Sequence, residues 1–224
     1  MDERFPDEFV TWHHKTPVGV KVEEVFGMDS KSGKVWIELA RQIFCEQGNP
    51  NYRVIGHFNN DAPYLEGYNG RISVTHTTHL LAVAMLPKTP EVNLEEFNPR
   101  AAMGIDAESL QRKQVLNIRS KFLSEEELEL VPVDNLEANI IAWTSKEALY
   151  KAAMTPGLDF TSQIKLIKLP VLYPEPDKIP APVLGEAIIS FPQGENFSMK
   201  LFSYVSYGCC VTIAISPKAA KFGK

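Results

Sequence analysis

Apolar positions follow two rhythms along this chain. Eight short runs are β-branched, aromatic or continuously apolar: residues 19–25 (GVKVEEV), 71–76 (RISVTH), 80–86 (LLAVAML), 102–108 (AMGIDAE), 164–169 (IKLIKL), 186–191 (EAIISF), 198–205 (SMKLFSYV) and 210–215 (CVTIAI). Most are bounded by Gly, Pro or Asn, the signature of strands. FPQGENF, residues 191–197, separates two of them as a hairpin loop. Helical spacing appears at about 31–47, 109–120, 125–131 and 135–153. The last helix has a predicted cap, Asp134 with Glu137 three residues on, and an end before Pro156-Gly157. Ser124 and Glu127 form a similar box before EEELELV. Strands and helices mix without strict βαβ alternation, so the expected class is α+β.

A faint internal repeat divides the chain. VGVKVEEV (18–25) resembles MGIDAESL (103–110), with Gly19 opposite Gly104 and Glu23 opposite Glu108. VWIELA (35–40) resembles AWTSKEA (142–148), allowing one insertion, and each half closes on an apolar strand. Pro87, Pro90 and Pro99 mark the boundary. The expectation is two similar α/β subdomains, 1–98 and 99–224, packed as a pseudo-dimer within a monomer. Lys21 stands where the second half has Asp106, so a site between the halves is fed mainly by the second.

Composition narrows the function. Hydrophobic residues are 44% and charged residues 23%, ordinary for a soluble globular chain. The net charge of −5 argues against a general nucleic-acid binder. No apolar run is long enough to span a bilayer, and the acidic N-terminus is unlike a signal peptide, so no membrane association and a cytoplasmic location are expected. Cys45, Cys209 and Cys210 have no metal-ligand spacing, and the last two read as buried thiols. Residues 109–122 carry Arg112, Lys113, Arg119 and Lys121 and no acid. That segment is either a solvated helix face or a guide for a negatively charged partner.

The candidate chemistry lies in two stretches. In WTSKEALYK (143–151), Trp143, Glu147 and Lys151 recur every four residues and share a helix face, with Lys146 beside them. Alone, Glu147 and Lys151 read equally as an exposed ion pair. In GIDAE (104–108), Asp106 and Glu108 alternate and point to one face of a strand. They either face water on an edge strand or share a divalent cation, and Mg²⁺ suits a few carboxylates with phosphate oxygens. Glu147 would complete that set. Thr75 and His76 end a strand at a turn and are candidates for a phosphate or adenine edge; His79 reads as structural or surface.

ISVTH, GIDAE and WTSKEALYK, in that order and separation, resemble the 4′-phosphopantetheinyl transferase superfamily, in its Sfp-type branch of monomeric two-lobed enzymes. The resemblance spans roughly residues 60 to 215. It implies Mg²⁺ held by Asp106, Glu108 and Glu147, with coenzyme A as co-substrate. It implies phosphate contacts from Lys151 and Lys146, and nucleotide contacts from Thr75 and His76. KFLSEEE matches a Phe-x-x-x-x-Glu element, which places Glu127 near the site. The implied reaction is attack of a carrier-protein serine on the β-phosphate, with 3′,5′-ADP leaving. Glu147 is the expected base, with Glu127 as alternative or helper. The implied partner is an acidic acyl or peptidyl carrier protein docking near Arg112, Lys113, Arg119 and Lys121. A non-catalytic binding module and a Mg²⁺-dependent phosphohydrolase are the competing readings. One departure stands out: the family's Gly-Lys-Pro reads Asp61-Ala62-Pro63 here. Lys31, Lys34, Arg41 and Arg71 are the candidate replacements for its lysine.

Overall fold

The computed structural model describes residues 9–27, 55–86 and 92–221. The strands are β1 (Phe9–Lys15), β2 (Lys21–Gly27), β3 (Ile55–His57), β4 (Pro63–Leu65), β5 (Ile72–His76), β6 (Leu80–Met85), β7 (Met103–Ser109), β8 (Ile164–Lys168), β9 (Leu172–Tyr173), β10 (Gly185–Ser190), β11 (Asn196–Ser206) and β12 (Cys209–Ile215). A 3₁₀ turn (Lys113–Ile118) leads into α1 (Arg119–Phe122), α2 (Glu125–Leu130) and α3 (Leu136–Ala153). The mixture is compatible with α+β. No helix among the described residues is long and apolar enough to cross a membrane.

One sheet runs β1-β2-β6-β5, the other β7-β12-β11-β10-β8, and β3 and β4 form a separate hairpin. In each sheet a strand from early in its half (β2 or β7) lies beside the last (β6 or β12). That last strand lies beside its predecessor (β5 or β11). Inner faces of the two sheets share one apolar core, with Val20, Val22, Leu80 and Ala82 against Ile105, Phe202, Val211 and Ile213. Each large side chain buried there contributes roughly 1.5–3 kcal/mol. A second core lies between α3 and the other face of the second sheet, where Leu149, Ala152 and Phe122 meet Leu201 and Ala214.

Two details set the site. Gly104 lets α3 lie directly on β7: a Cβ there would stand 2.0 Å from the Ala148 carbonyl oxygen and 2.7 Å from the Ala152 nitrogen. And β5 lies along the outer edge of β7, joined to it by side chains. The Ile105 amide donates to Ser73 Oγ at 3.0 Å and the Ala107 amide to Thr75 Oγ1 at 3.1 Å. Further along, buried Glu24 of β2 accepts from Tyr204 and Ser206 of β11, each at 2.6 Å.

The eight expected strands all form, within a residue or two at their ends. β1, β3, β4 and β9 were not expected. β1 is an edge strand with Val10 56% exposed, so its pattern lacks apolar alternation. The expected helix at 109–120 is instead the end of β7, a turn and a 3₁₀ segment before α1. The α3 cap is Asn135, one residue later than expected, accepting from the Ala138 amide at 3.0 Å. The helix ends at Met154 in a left-handed conformation (φ 52°) before Pro156. The Ser124–Glu127 capping box forms as read. Cys209 and Cys210 are buried free thiols. The expected 31–47 helix, the 35–40 arm of the repeat, Cys45, Lys31, Lys34 and Arg41 lie outside the described residues, as does 87–91 of the proposed boundary.

Candidate active site

β7 and α3 bring the two sequence stretches together. Asp106 and Glu108 point the same way from β7 and are only 8% and 9% exposed. α3 crosses β7 at Gly104, and Lys151 reaches back to Asp106 Oδ1 at 2.7 Å and to the Ile105 carbonyl at 3.1 Å. Trp143, Glu147 and Lys151 all lie on a half-buried face. Trp143 packs edge-on against Phe122, with ring centroids 5.1 Å apart, and so anchors that face to α1.

The charges interact strongly. Burial, and then the nearby Asp106 carboxylate, hold the Glu147 carboxyl above the ordinary glutamate range; Lys151 and Arg112 oppose this and Glu108 adds to it. Glu147 is therefore within electrostatic reach of both acids of β7. Glu108 accepts from the Ser109 amide at 2.9 Å and is held by Arg112 four residues on. Thr75 donates to Asp106 Oδ1 at 3.0 Å.

Three carboxylates with hard oxygen donors have the chemistry to hold a divalent cation such as Mg²⁺. The donor set fits, and the upward push on Glu147, from burial first and then from Asp106, is one that a bound cation would relieve. Among the described residues, however, no three His, Cys, Asp or Glu side chains already converge at metal distance. Asp106 is turned to Lys151 and Glu108 to Arg112.

Two open spaces flank this cluster, and His76 borders both. The first, about 430 Å³, lies between the β3–β4 hairpin, β5 and the end of α3, with Ala62, Arg71, His76, Tyr150 and Lys151 on its wall. The second, about 580 Å³, is bordered by Glu108, Arg112, His79, Tyr207 and Cys209. Burial, and secondarily Lys151, hold the His76 imidazolium below its ordinary range, with Asp106 opposing. The loop between β3 and β4 is tied to α3 by Asn60, which donates to the Met154 carbonyl at 2.8 Å. At the Asp61-Ala62-Pro63 departure, Asp61 takes a left-handed turn conformation (φ 62°), one that Gly adopts freely and Asp tolerates.

Other expected residues go elsewhere. Lys146 is fully buried, its Nζ donating to Glu127 Oε2 and to the Phe160 carbonyl, each at 2.7 Å, and to the Ile164 carbonyl. All three donors of its ammonium are spent, so the reading of Lys146 as a phosphate ligand is corrected: it holds α3 to α2 and β8. Glu127 is 1% exposed and also accepts from the Ser124 amide at 2.8 Å and the Leu166 amide at 2.5 Å. It is a structural carboxylate buried against Lys146. Thr75, 4% exposed, spends its hydroxyl on Asp106 and Ala107. His79 is a surface residue near the Gly27 carbonyl. In the basic segment Lys113 and Lys121 are exposed, whereas Arg119 donates to the Val131 carbonyl and Arg112 holds Glu108. Sequence reading missed Ser73 and the Glu108–Arg112 pair. The four-residue spacing of that pair was visible, but it spans a strand end and a turn where no helical rule applies.

No curated protein matches the chain. Residues 102–177 match the family model described as the 4′-phosphopantetheinyl transferase superfamily. The match takes in all of β7 and α3 and supports transferase activity of the phosphopantetheinyl kind. The matched segment is the one that carries the acid pair and the Trp-x-x-Lys-Glu-Ala helix.

Proposed function

We propose that this protein is a holo-[carrier-protein] synthase of the Sfp-type branch. It moves the 4′-phosphopantetheine arm from coenzyme A to a serine of an apo carrier protein and releases 3′,5′-ADP. The observation that carries this reading is that α3 packs on β7 with Lys151 on Asp106 and Glu147 within electrostatic reach of Asp106 and Glu108, inside the segment that matches the family. In this reading the halves 1–98 and 99–224 are related subdomains, and the matching β2-β6-β5 and β7-β12-β11 orders support it.

Asp106, Glu108 and Glu147 would hold Mg²⁺. Bound there, the ion supplies neutralisation of the diphosphate oxygens. Lys151, half-buried and delivered by the last turn of α3, adds positive charge next to the same oxygens. Thr75 orients Asp106 through Oδ1. Glu147, whose carboxyl already favours its proton more than an ordinary glutamate does, takes the serine proton as the hydroxyl attacks phosphorus. His76, at the junction of the two spaces, borders the nucleotide end. Exposed Lys113 and Lys121, with Arg112, steer the acidic carrier. The protein acts in the cytoplasm as a monomer.

The test is direct. With coenzyme A, Mg²⁺ and an apo carrier protein, the carrier gains about 340 Da, the mass of the arm that this transfer moves. No gain with fatty-acid, polyketide and peptide carriers alike would reject the reading. Breakdown of coenzyme A without a carrier would favour a phosphohydrolase.

A further inference from the structure

Tyr207 holds a conformation that its side chain does not favour. β11 ends at Ser206 and β12 starts at Cys209, so the hairpin turns on Tyr207-Gly208 alone. Both residues are left-handed, at φ 45° and 73°. Two-residue turns of this kind take Asn-Gly, Asp-Gly or Gly-Gly, and a bulky residue at the first position is strained. The turn itself gives no reason for a tyrosine, so the reason lies in its surroundings. The ring is stacked flat on Phe26 of β2, with centroids 4.5 Å and planes 10° apart. That stack covers one face and fixes the direction of the ring, yet Tyr207 stays 40% exposed. The Leu110 amide donates to the Gly208 carbonyl at 3.0 Å, which ties the turn to the chain leaving β7 just past Glu108.

Tyr207 borders the second open space. Glu108, Arg112 and Gln114 border it too, so this space touches an acid of the candidate site, the basic segment and the strained turn. The first space has Lys151 and the Tyr150 ring on its wall instead, and His76 is common to both. In-line displacement at phosphorus sets the nucleophile opposite the leaving group. With the nucleotide leaving on the Lys151 side, the acceptor serine enters on the Glu108 side, through the second space and past Arg112 and Tyr207.

We propose that Tyr207 is a carrier-recognition residue: its exposed ring surface meets an apolar side chain of the carrier segment that brings the serine into the second space. The inference rests on the transferase reading for the identity of the partner. The two walls do different work. Arg112 and Lys113 attract acidic groups from a distance, whereas a ring already fixed by Phe26 makes a short-range contact with little ordering left to lose. Aromatic residues so placed carry a large share of the energy of an interface.

Fluorescence anisotropy on the full chain tests it, without coenzyme A, using fluorescein-labelled apo carrier proteins of the fatty-acid, polyketide and peptide kinds. The wild type binds at least one of them. Tyr207→Asn weakens that binding about tenfold, and Tyr207→Phe stays near wild type. Added salt weakens the wild type and Tyr207→Asn along the same slope, because no charge differs between them. Tyr207→Asn keeps the wild-type affinity for coenzyme A in calorimetry and a urea midpoint near wild type, since asparagine suits the turn. Unchanged carrier binding in Tyr207→Asn, an equal loss in Tyr207→Phe, or a loss that comes with a fallen urea midpoint overturns the proposal. So does a wild type that binds none of the three carriers. If Tyr207→Asn does not fold, Tyr207→Gly is read by the same measures, and loss of the fold in both makes the residue structural and overturns the proposal. The carrier mass assay is read separately. Tyr207-dependent binding without transfer keeps this inference and removes the transferase reading. Transfer with carrier binding indifferent to Tyr207 does the reverse.

Discussion

Thr75 and Asp106 belong to different sheets, yet the Thr75 hydroxyl donates to Asp106 Oδ1 at 3.0 Å. The same hydroxyl accepts from the Ala107 amide at 3.1 Å, so one side chain joins the sheets and aims a site carboxylate. Thr75→Val keeps the shape and removes both interactions. It leaves a buried amide unsatisfied, at a cost of about 1–3 kcal/mol in urea unfolding, while Thr75→Ser stays near wild type. Transfer activity falls in Thr75→Val and returns in Thr75→Ser.

Gly104→Ala places a methyl group 2.0 Å from the Ala148 carbonyl oxygen. Backbone on both sides has to move, so α3 lifts from β7. Loss of roughly 1–3 kcal/mol is expected, with activity falling further than stability because Glu147 and Lys151 ride on the displaced helix. Thermal melting and the carrier assay, run side by side, separate the two effects.

Lys146→Met leaves Glu127 charged and buried. The expected cost is about 3–5 kcal/mol. Joining it with Glu127→Leu recovers part of this stability, since neither charge is then left alone, although the Leu166 and Ser124 amides lose their acceptor. A double-mutant cycle in denaturant measures the coupling. A positive coupling with little change in coenzyme A affinity of the folded double variant confirms the structural role.

Glu147→Gln removes the expected base and a metal ligand together. Transfer falls by about 10²–10⁴-fold, the usual worth of general base catalysis, and a chelator abolishes transfer by the wild type. Lys113→Glu with Lys121→Glu acts differently. It raises KM for the carrier, leaves the affinity for coenzyme A unchanged, and flattens the salt dependence.

Cys210 supplies a pH prediction. Burial pushes its thiol up to about 12, partly opposed by Thr144 and Thr212. A thiol raised in the folded state contributes stability that is full below its ordinary range near 9 and is lost as pH climbs towards 12. The wild type therefore loses stability across that window faster than Cys210→Ala, which is less stable throughout but less sensitive to pH. Denaturant midpoints at intervals of pH check the sign.

The strands and α3 were legible because their apolar rhythm and caps are local properties. The acid pair was legible too, since alternation along a strand dictates a shared face. The misreadings have one cause: partners distant in sequence. Lys146 and Glu147 are neighbours in a helix that rotates about 100° per residue, so one faces the core and the other the cleft. WTSKEALYK shows two lysines alike, but Glu127 and the Phe160 and Ile164 carbonyls decide that only Lys151 reaches the site.

The side-chain seam along β7 has a consequence for solubility. A bare strand edge is a template for pairing with another chain. Here Ser73 and Thr75 cover the Ile105 and Ala107 amides, and Lys151 covers the Ile105 carbonyl. The lysine proposed to meet the donor's phosphates is thus also a guard on that edge. When it turns towards a ligand it leaves the Ile105 carbonyl open, and the ligand itself takes over as the cover. Variants at Lys151 are therefore expected to aggregate as well as to lose activity, and for the same geometric reason.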